Sequence, residues 1–213
     1  MTTHYEDEAQ AERLKQWWKD NWMALAGGLV IGLAGIFGWE GWQSHQAGRA
    51  VEASRMYEDM RQALSSNNVD AATQIGDTLL KDHAKSPYAT GAAMYLAAEA
   101  VKAGQLDAAL TRLRWVRENG SDDGLRQVAR LREARVLWQQ GQADAALKLL
   151  DGGDESFSAV SEELRGDIRL SQGDRAAARA AYEKALSGVD PENPAAKGDL
   201  ERKIDDLSDV VPS

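Results

Sequence analysis

Three short strings decide the fold: GQLDAAL at Gly104–Leu110, GQADAAL at Gly141–Leu147 and GDRAAAR at Gly173–Arg179. Each pairs a glycine with small and apolar residues that begin two or three positions after it. A glycine tolerates the left-handed backbone that stops a helix, so each string reads as the end of one helix and the start of the next. Ala109, Ala146 and Ala178 sit five residues after their glycines, where a small side chain lets the two helices cross closely. Leu106, Ala109, Leu110, Leu113 and Val116 form the i, i+3, i+4, i+7 stripe of an amphipathic second helix. Ala181, Tyr182, Ala185 and Leu186 do the same in the last string.

The glycines stand thirty-seven and thirty-two residues apart, bracketing the roughly thirty-four of a tetratricopeptide repeat. A fourth, degenerate unit runs from about Ala50 through Asn67 to Ser86. Ser86 and Pro87 read as an N-cap followed by proline at the first helical position. DPEN at Asp190–Asn193 supplies the turn that closes the last pair. The repeats are not clean. Arg130 and Glu133 in the second string's unit, and Glu162 and Arg165 in the third, stand where large apolar residues are wanted, which puts the helix register there in question. KGDLERKIDDLSDVV (Lys197–Val211) reads as a capping helix with Leu200, Ile204 and Leu207 on its buried face. The expected fold class is all-α: a single N-terminal transmembrane helix followed by a tetratricopeptide-type α-solenoid.

The membrane segment is WMALAGGLVIGLAGIFGWEGW, Trp22–Trp42. Met23 to Trp39 carries no charge, and as helix it spans roughly 26 Å against a hydrocarbon core of about 30 Å. Trp22 on one side, and Trp39 and Trp42 on the other, extend it into the interfaces as an aromatic belt. A cleaved signal peptide needs a short basic start and small residues at its cleavage site. Here the preceding MTTHYEDEAQAERLKQWWKD is long and acidic, and Trp39, Glu40 and Trp42 occupy the cleavage region, so a retained anchor is expected. Glycine density argues against a soluble core helix. Arg13, Lys15 and Lys19 precede the span, whereas Glu40 follows it and the next cation is Arg49. The positive-inside rule therefore places the N-terminus in the cytoplasm. The expected organisation is residues 1–21 cytoplasmic and amphipathic, 22–42 transmembrane, and 43–213 periplasmic repeats. Within the first segment Ala9, Leu14, Trp17 and Trp18 can face the lipid surface. Gly28 and Gly32 form a G-x-x-x-G pair, which is either a packing face for another membrane helix or ordinary membrane-helix composition.

Composition narrows the function. The 213 residues carry a net charge of −9 with 28% charged residues. An acidic chain without a basic stripe does not suit nucleic acid. There is no cysteine, which excludes disulfides, thiolate metal sites, a catalytic thiol and a lipid-modified cysteine. His4, His45 and His83 show no metal-ligand spacing. The pairs Asp122-Asp123, Glu162-Glu163 and Asp205-Asp206 have the spacing of caps and solvated faces. DGGDESFSAVSE (Asp151–Glu162) lacks the glycine and alternating acids of a calcium loop, and reads as a loop before a capped helix. No G-x-S-x-G, phosphate loop or dinucleotide fingerprint is present, so no catalytic residue, metal, cofactor or small-molecule substrate is expected.

EDEAQAERLKQWWKDNW, ALAGGLVIGLAGIFGWEGWQSHQ, QADAALKLLD and LRGDIRLSQGDRAAARAAYEKAL together resemble the YfgM family, ancillary subunits of the bacterial SecYEG translocon. GWQSHQ (Gly41–Gln46) and LRGD (Leu164–Asp167) are the more specific parts. The resemblance implies an inner-membrane protein with one pass and a periplasmic repeat domain. It further implies association with the SecYEG translocon and the membrane-anchored periplasmic chaperone PpiD, help in handing over exported proteins, and no catalytic residues. A membrane-tethered scaffold for envelope assembly or cell division is the alternative function.

Solenoids of this kind bind along the first helix of each pair. Counting back from the turn glycines gives Met94, Val101, Val128, Leu131, Arg135, Trp138, Val160 and Leu170 as candidates for that inner face. Trp138 has two readings: an anchor in an apolar groove, or filler between adjacent repeats.

Overall fold

A computed structural model describes residues 3–207, with side chains from Ala11 onward. The side chains of His4 and Ala9, and Ser208–Val211 of the expected capping run, lie outside the described residues. All regular structure among the described residues is helical: α1 Thr3–Ser65, α2 Val69–Asp82, α3 Pro87–Lys102, α4 Leu106–Asn119, α5 Asp123–Gln139, α6 Ala143–Leu150, α7 Ser158–Ser171, α8 Arg175–Ser187 and α9 Pro194–Asp206, with a 3-10 turn at Glu155–Phe157 before α7. Packing divides the chain into two units, Met1–Glu52 and Ala53–Ser213.

The first unit is helix throughout its described residues, and its apolar side chains face outward. Trp22, Leu29, Ile31, Ile36 and Phe37 are all exposed. An 18-residue window of this helix has a mean hydropathy of 1.7 with none of the window buried. α1 is thus the one helix among the described residues that is long and apolar enough to cross a membrane.

The second unit is a stack of helix pairs, and its turns explain the repeat. Gly104, Gly141 and Gly173 adopt φ of +72°, +78° and +82°. The Gly104 N–H donates to the Val101 carbonyl and the Gln105 N–H to the Ala100 carbonyl. Gly141 and Gln142 repeat this on Trp138 and Leu137, and Gly173 and Asp174 on Leu170 and Arg169. These are Schellman closures, which satisfy the last carbonyls of α3, α5 and α7. Asn67 closes α1 in the same way with φ +56°, its N–H on Leu64 and that of Asn68 on Ala63. Asparagine is a common substitute for glycine in this conformation, so the degenerate first unit carries the same turn. Five residues after each turn residue, Ala72, Ala109, Ala146 and Ala178 are fully buried.

From α2 to α9 each helix packs on the next, and the first helices α3, α5 and α7 also approach one another. Ser86 caps α3 by accepting the Tyr88 N–H at 3.2 Å. The Asp151–Glu162 segment is a loop whose Asp154 accepts the Ser156 N–H at 2.9 Å. No group of three possible metal ligands occurs among the described residues.

The polar intrusions keep the helix register and are paired, mostly with neighbouring helices. Glu133 is 3% exposed, and its two oxygens accept from Arg114 Nε at 3.0 Å and Arg117 Nε at 2.9 Å, both on α4. Glu162 accepts from Lys184 of α8 at 2.8 Å and Arg165 at 3.2 Å. Arg130 donates through Nε to the Leu149 carbonyl and through Nη1 to the Gly152 carbonyl, tying α5 to the end of α6. Burial first, and then the nearby Arg117 charge, lower its pKa from the ordinary arginine value.

LRGD has a packing role. Leu164 is buried, Gly166 lies against the Tyr182 ring, and Asp167 accepts from the Tyr182 hydroxyl at 2.8 Å. Asp167 and Glu163 also hold Lys203 of α9 at 2.7 and 2.8 Å, and its ammonium lies 5.3 Å from the Tyr182 ring centre. This cluster fastens α9 to the stack. Leu200 is buried there, with Ile204 and Leu207 packed around it. Tyr182 is raised above the ordinary tyrosine pKa by burial and by its bond to Asp167. Burial opposes the Lys203 charge, but the bonds to Asp167 and Glu163 outweigh it and raise its pKa.

Candidate binding groove

α3 and α5, the first helices of adjacent pairs, enclose a groove of about 410 Å³. Met94, Ala97, Ala98 and Val101 form its α3 side, Arg132, Arg135, Val136 and Gln139 its α5 side, and Leu113 of α4 also lines it. The alanines of α3 keep one wall low. On α5, Glu133 is drawn inward onto the α4 arginines. α5 also buries Ala129, Leu131, Ala134 and Leu137, and Arg132 and Arg135 lie where it lines the groove.

Those two arginines differ from their neighbours. Every other arginine of α4 to α8 has a carboxylate or carbonyl partner. Arg112 pairs with Asp77, Arg126 with Asp123, Arg165 with Asp151, and Arg179 with Glu183. Arg169 and Arg175 donate to the Gln172 side-chain and Asp206 backbone carbonyls. Arg132 and Arg135 are exposed and have no such partner among the described residues. The groove therefore combines an apolar floor with two uncommitted cations. It can hold a chain segment, and nothing in it resembles a catalytic set.

Of the residues singled out by counting, Met94, Val101 and Arg135 meet in this groove. Leu131 is 6% exposed and belongs to the core. Val128 is half-buried on α5, while Val160 and Leu170 are exposed on α7 and do not line the groove. Trp138 is half-buried against the core, and its indole N–H donates to Ser171 Oγ of α7 at 3.0 Å. Counting missed Ala97, Ala98, Leu113, Arg132, Val136 and Gln139. Arg132 was findable, since it stands one turn before Arg135 and shares its face.

In the first unit a Cβ added to Gly28 or Gly32 would meet nothing within 4 Å, so that face is open. Trp17, Trp18, Trp22, Trp39 and Trp42 are all exposed. The Trp39 and Trp42 rings lie 5.2 Å apart at 40°.

Comparison with known proteins matches residues 15–209 to a tetratricopeptide repeat-like domain. A protein of Escherichia coli K12 named ancillary SecYEG translocon subunit is 36% identical over 207 residues, covering 96% of this chain and 98% of that one. Proteins of the same name from Haemophilus influenzae and Aggregatibacter actinomycetemcomitans are 32% and 33% identical, each alignment covering 87% of this chain and 91% of the relative.

Proposed function

We propose that this chain, which belongs to the family of ancillary SecYEG translocon subunits with a tetratricopeptide repeat-like domain, works beside the protein-export channel as a non-enzymatic binding subunit. The observation that carries the reading is the span of the likeness. It covers the membrane-capable helix and the repeats together, at 96% of this chain and 98% of the Escherichia coli relative, so anchor and repeat domain are shared as one arrangement. Kinship with ancillary subunits makes this a non-enzymatic chain.

In this reading α1 holds the protein in the inner membrane. Arg13, Lys15 and Lys19 keep its start in the cytoplasm, and residues 43–213 stand in the periplasm. The partners are SecYEG and the membrane-anchored periplasmic chaperone PpiD, and the chain assists the passage of exported proteins from one to the other. The α3–α5 groove is the surface for a partner or client segment. Grooves lined by first helices suit such segments because stacked repeats present a continuous concave face.

The test is affinity isolation of the tagged full chain from detergent-solubilised membranes. Channel subunits and PpiD are expected in the eluate, and recovery of wall-synthesis proteins in their place would sink the proposal. Protease added to spheroplasts should digest the repeat domain and spare the N-terminal segment; full protection of the repeats in permeabilised cells would reverse the orientation.

A further inference from the structure

We infer that the α3–α5 groove selects extended segments in which small apolar residues flank an aspartate or glutamate. The inference rests on the reading of this groove as a partner site and names the chemistry of what it takes. Arg132 and Arg135 line the groove one helical turn apart on α5. They are the arginines of α4 to α8 left without a carboxylate or carbonyl partner among the described residues. A guanidinium presents a planar fork of donors that a carboxylate matches two bonds at a time, so a pair of free guanidiniums facing one groove favours an acidic side chain.

The remaining lining sets the other half of the preference. Met94, Val101 and Val136 are apolar, and Ala98 offers nothing beyond a methyl to hold an incoming backbone away. A volume of about 410 Å³ sits toward the small end of the roughly 300–1,000 Å³ of ligand sites. It accommodates a short run of small side chains rather than a row of large ones. Charge elsewhere sharpens the selection. The chain carries a net −9, so an acid-bearing segment is disfavoured over most of its surface and held where the free arginines are. Specificity of this kind comes from the difference between one attractive place and many repulsive ones.

The experiment uses the full chain in detergent micelles and two short fluorescent peptides of Val and Ala. One has a central Asp, the other Asn at the same position. Anisotropy titrations are run on the wild type, on Arg132→Gln/Arg135→Gln and on Ala98→Phe, with circular dichroism confirming that each variant is folded. The Asp peptide should bind about five-fold more tightly than the Asn peptide at low salt, the scale of an exposed ion pair. Added salt and the double arginine variant should each remove that preference. Ala98→Phe, which fills the groove, should weaken both peptides. Equal binding of the two peptides, both still weakened by Ala98→Phe, would overturn the acidic preference and leave the groove standing as a partner site. Binding of neither peptide, or binding indifferent to Ala98→Phe, would overturn both.

Discussion

The same substitution, glycine to alanine, should have opposite signs on α7 and on the capping helix α9. At Gly166 of α7 an added Cβ would overlap Tyr182 Cε1 and Cδ1 and stand 2.9 Å from Cζ. Tyr182 cannot retreat cheaply. It is 1% exposed, its hydroxyl is bonded to Asp167, and Lys203 lies close to its ring. Forcing extra volume into such a site costs about 1–3 kcal/mol. Displacing the ring also strains a hydrogen bond worth about 1 kcal/mol, while alanine returns up to about 1 kcal/mol of helix propensity. A net loss of about 1–3 kcal/mol follows for Gly166→Ala. At Gly198, inside α9, an added Cβ meets nothing within 4 Å, so only the propensity gain of about 0.5–1 kcal/mol remains. For a chain of this size each kcal/mol moves Tm by about 2–4 °C. Thermal unfolding of the full chain in micelles, followed by helical circular dichroism, should therefore show Gly166→Ala melting lower than wild type and Gly198→Ala slightly higher. If Gly166→Ala melted at or above wild type, the seating of Tyr182 on Gly166 as the fastening of α9 would be refuted.

Four further outcomes are expected. Glu133→Ala should cost more than Glu133→Leu in denaturant unfolding. Alanine leaves a cavity beside the former partners Arg114 and Arg117, whereas leucine restores the apolar filling; the half-exposed arginines keep the alanine cost to about 1–3 kcal/mol. Trp138→Ala should lose about 2 kcal/mol, roughly half that of a fully buried tryptophan, and Trp138→Phe about 1 kcal/mol or less through the bond to Ser171; unchanged stability in both would remove Trp138 from the repeat interface. The raised pKa values of Tyr182 and Lys203 contribute stability that is complete below the unfolded values of about 10 and 10.4 and is lost as pH rises through the higher folded values. Unfolding free energy should therefore fall above about pH 10, less steeply in Tyr182→Phe, and identical slopes would contradict this. Changing both Gly28 and Gly32 to Leu should reduce recovery of membrane partners while insertion is unaffected; full recovery would make those glycines ordinary membrane-helix composition.

Periodicity by itself determined the helix pairs. Gly104, Gly141 and Gly173 mark the turns because a left-handed residue is a local requirement, and Ala109, Ala146 and Ala178 mark the crossings because the repeat fixes their distance from the turn. The membrane-capable helix was equally legible, since apolar length and tryptophan flanks need no partner to be recognised. Tertiary structure decided what lies between helices. Arg130, Glu133, Glu162 and Arg165 look like defects in a repeat read alone. They become sensible once Arg114, Arg117, Leu149 and Lys184 are brought to them from other helices. The LRGD string was visible as a signature, but its role depends on Tyr182 and Lys203, which reach it only when α8 and α9 fold back. The candidate groove was half legible for the same reason. Turn spacing found Met94, Val101 and Arg135, but which face of α5 turns toward α3 is set when the helix buries Ala129, Leu131, Ala134 and Leu137 and pairs Glu133 with α4. That rotation places Leu131 in the core and brings Arg132 to the surface. A turn is an interaction of a residue with its own backbone, and a sequence records it; a groove is an interaction between helices, and its rotation is fixed only when they pack.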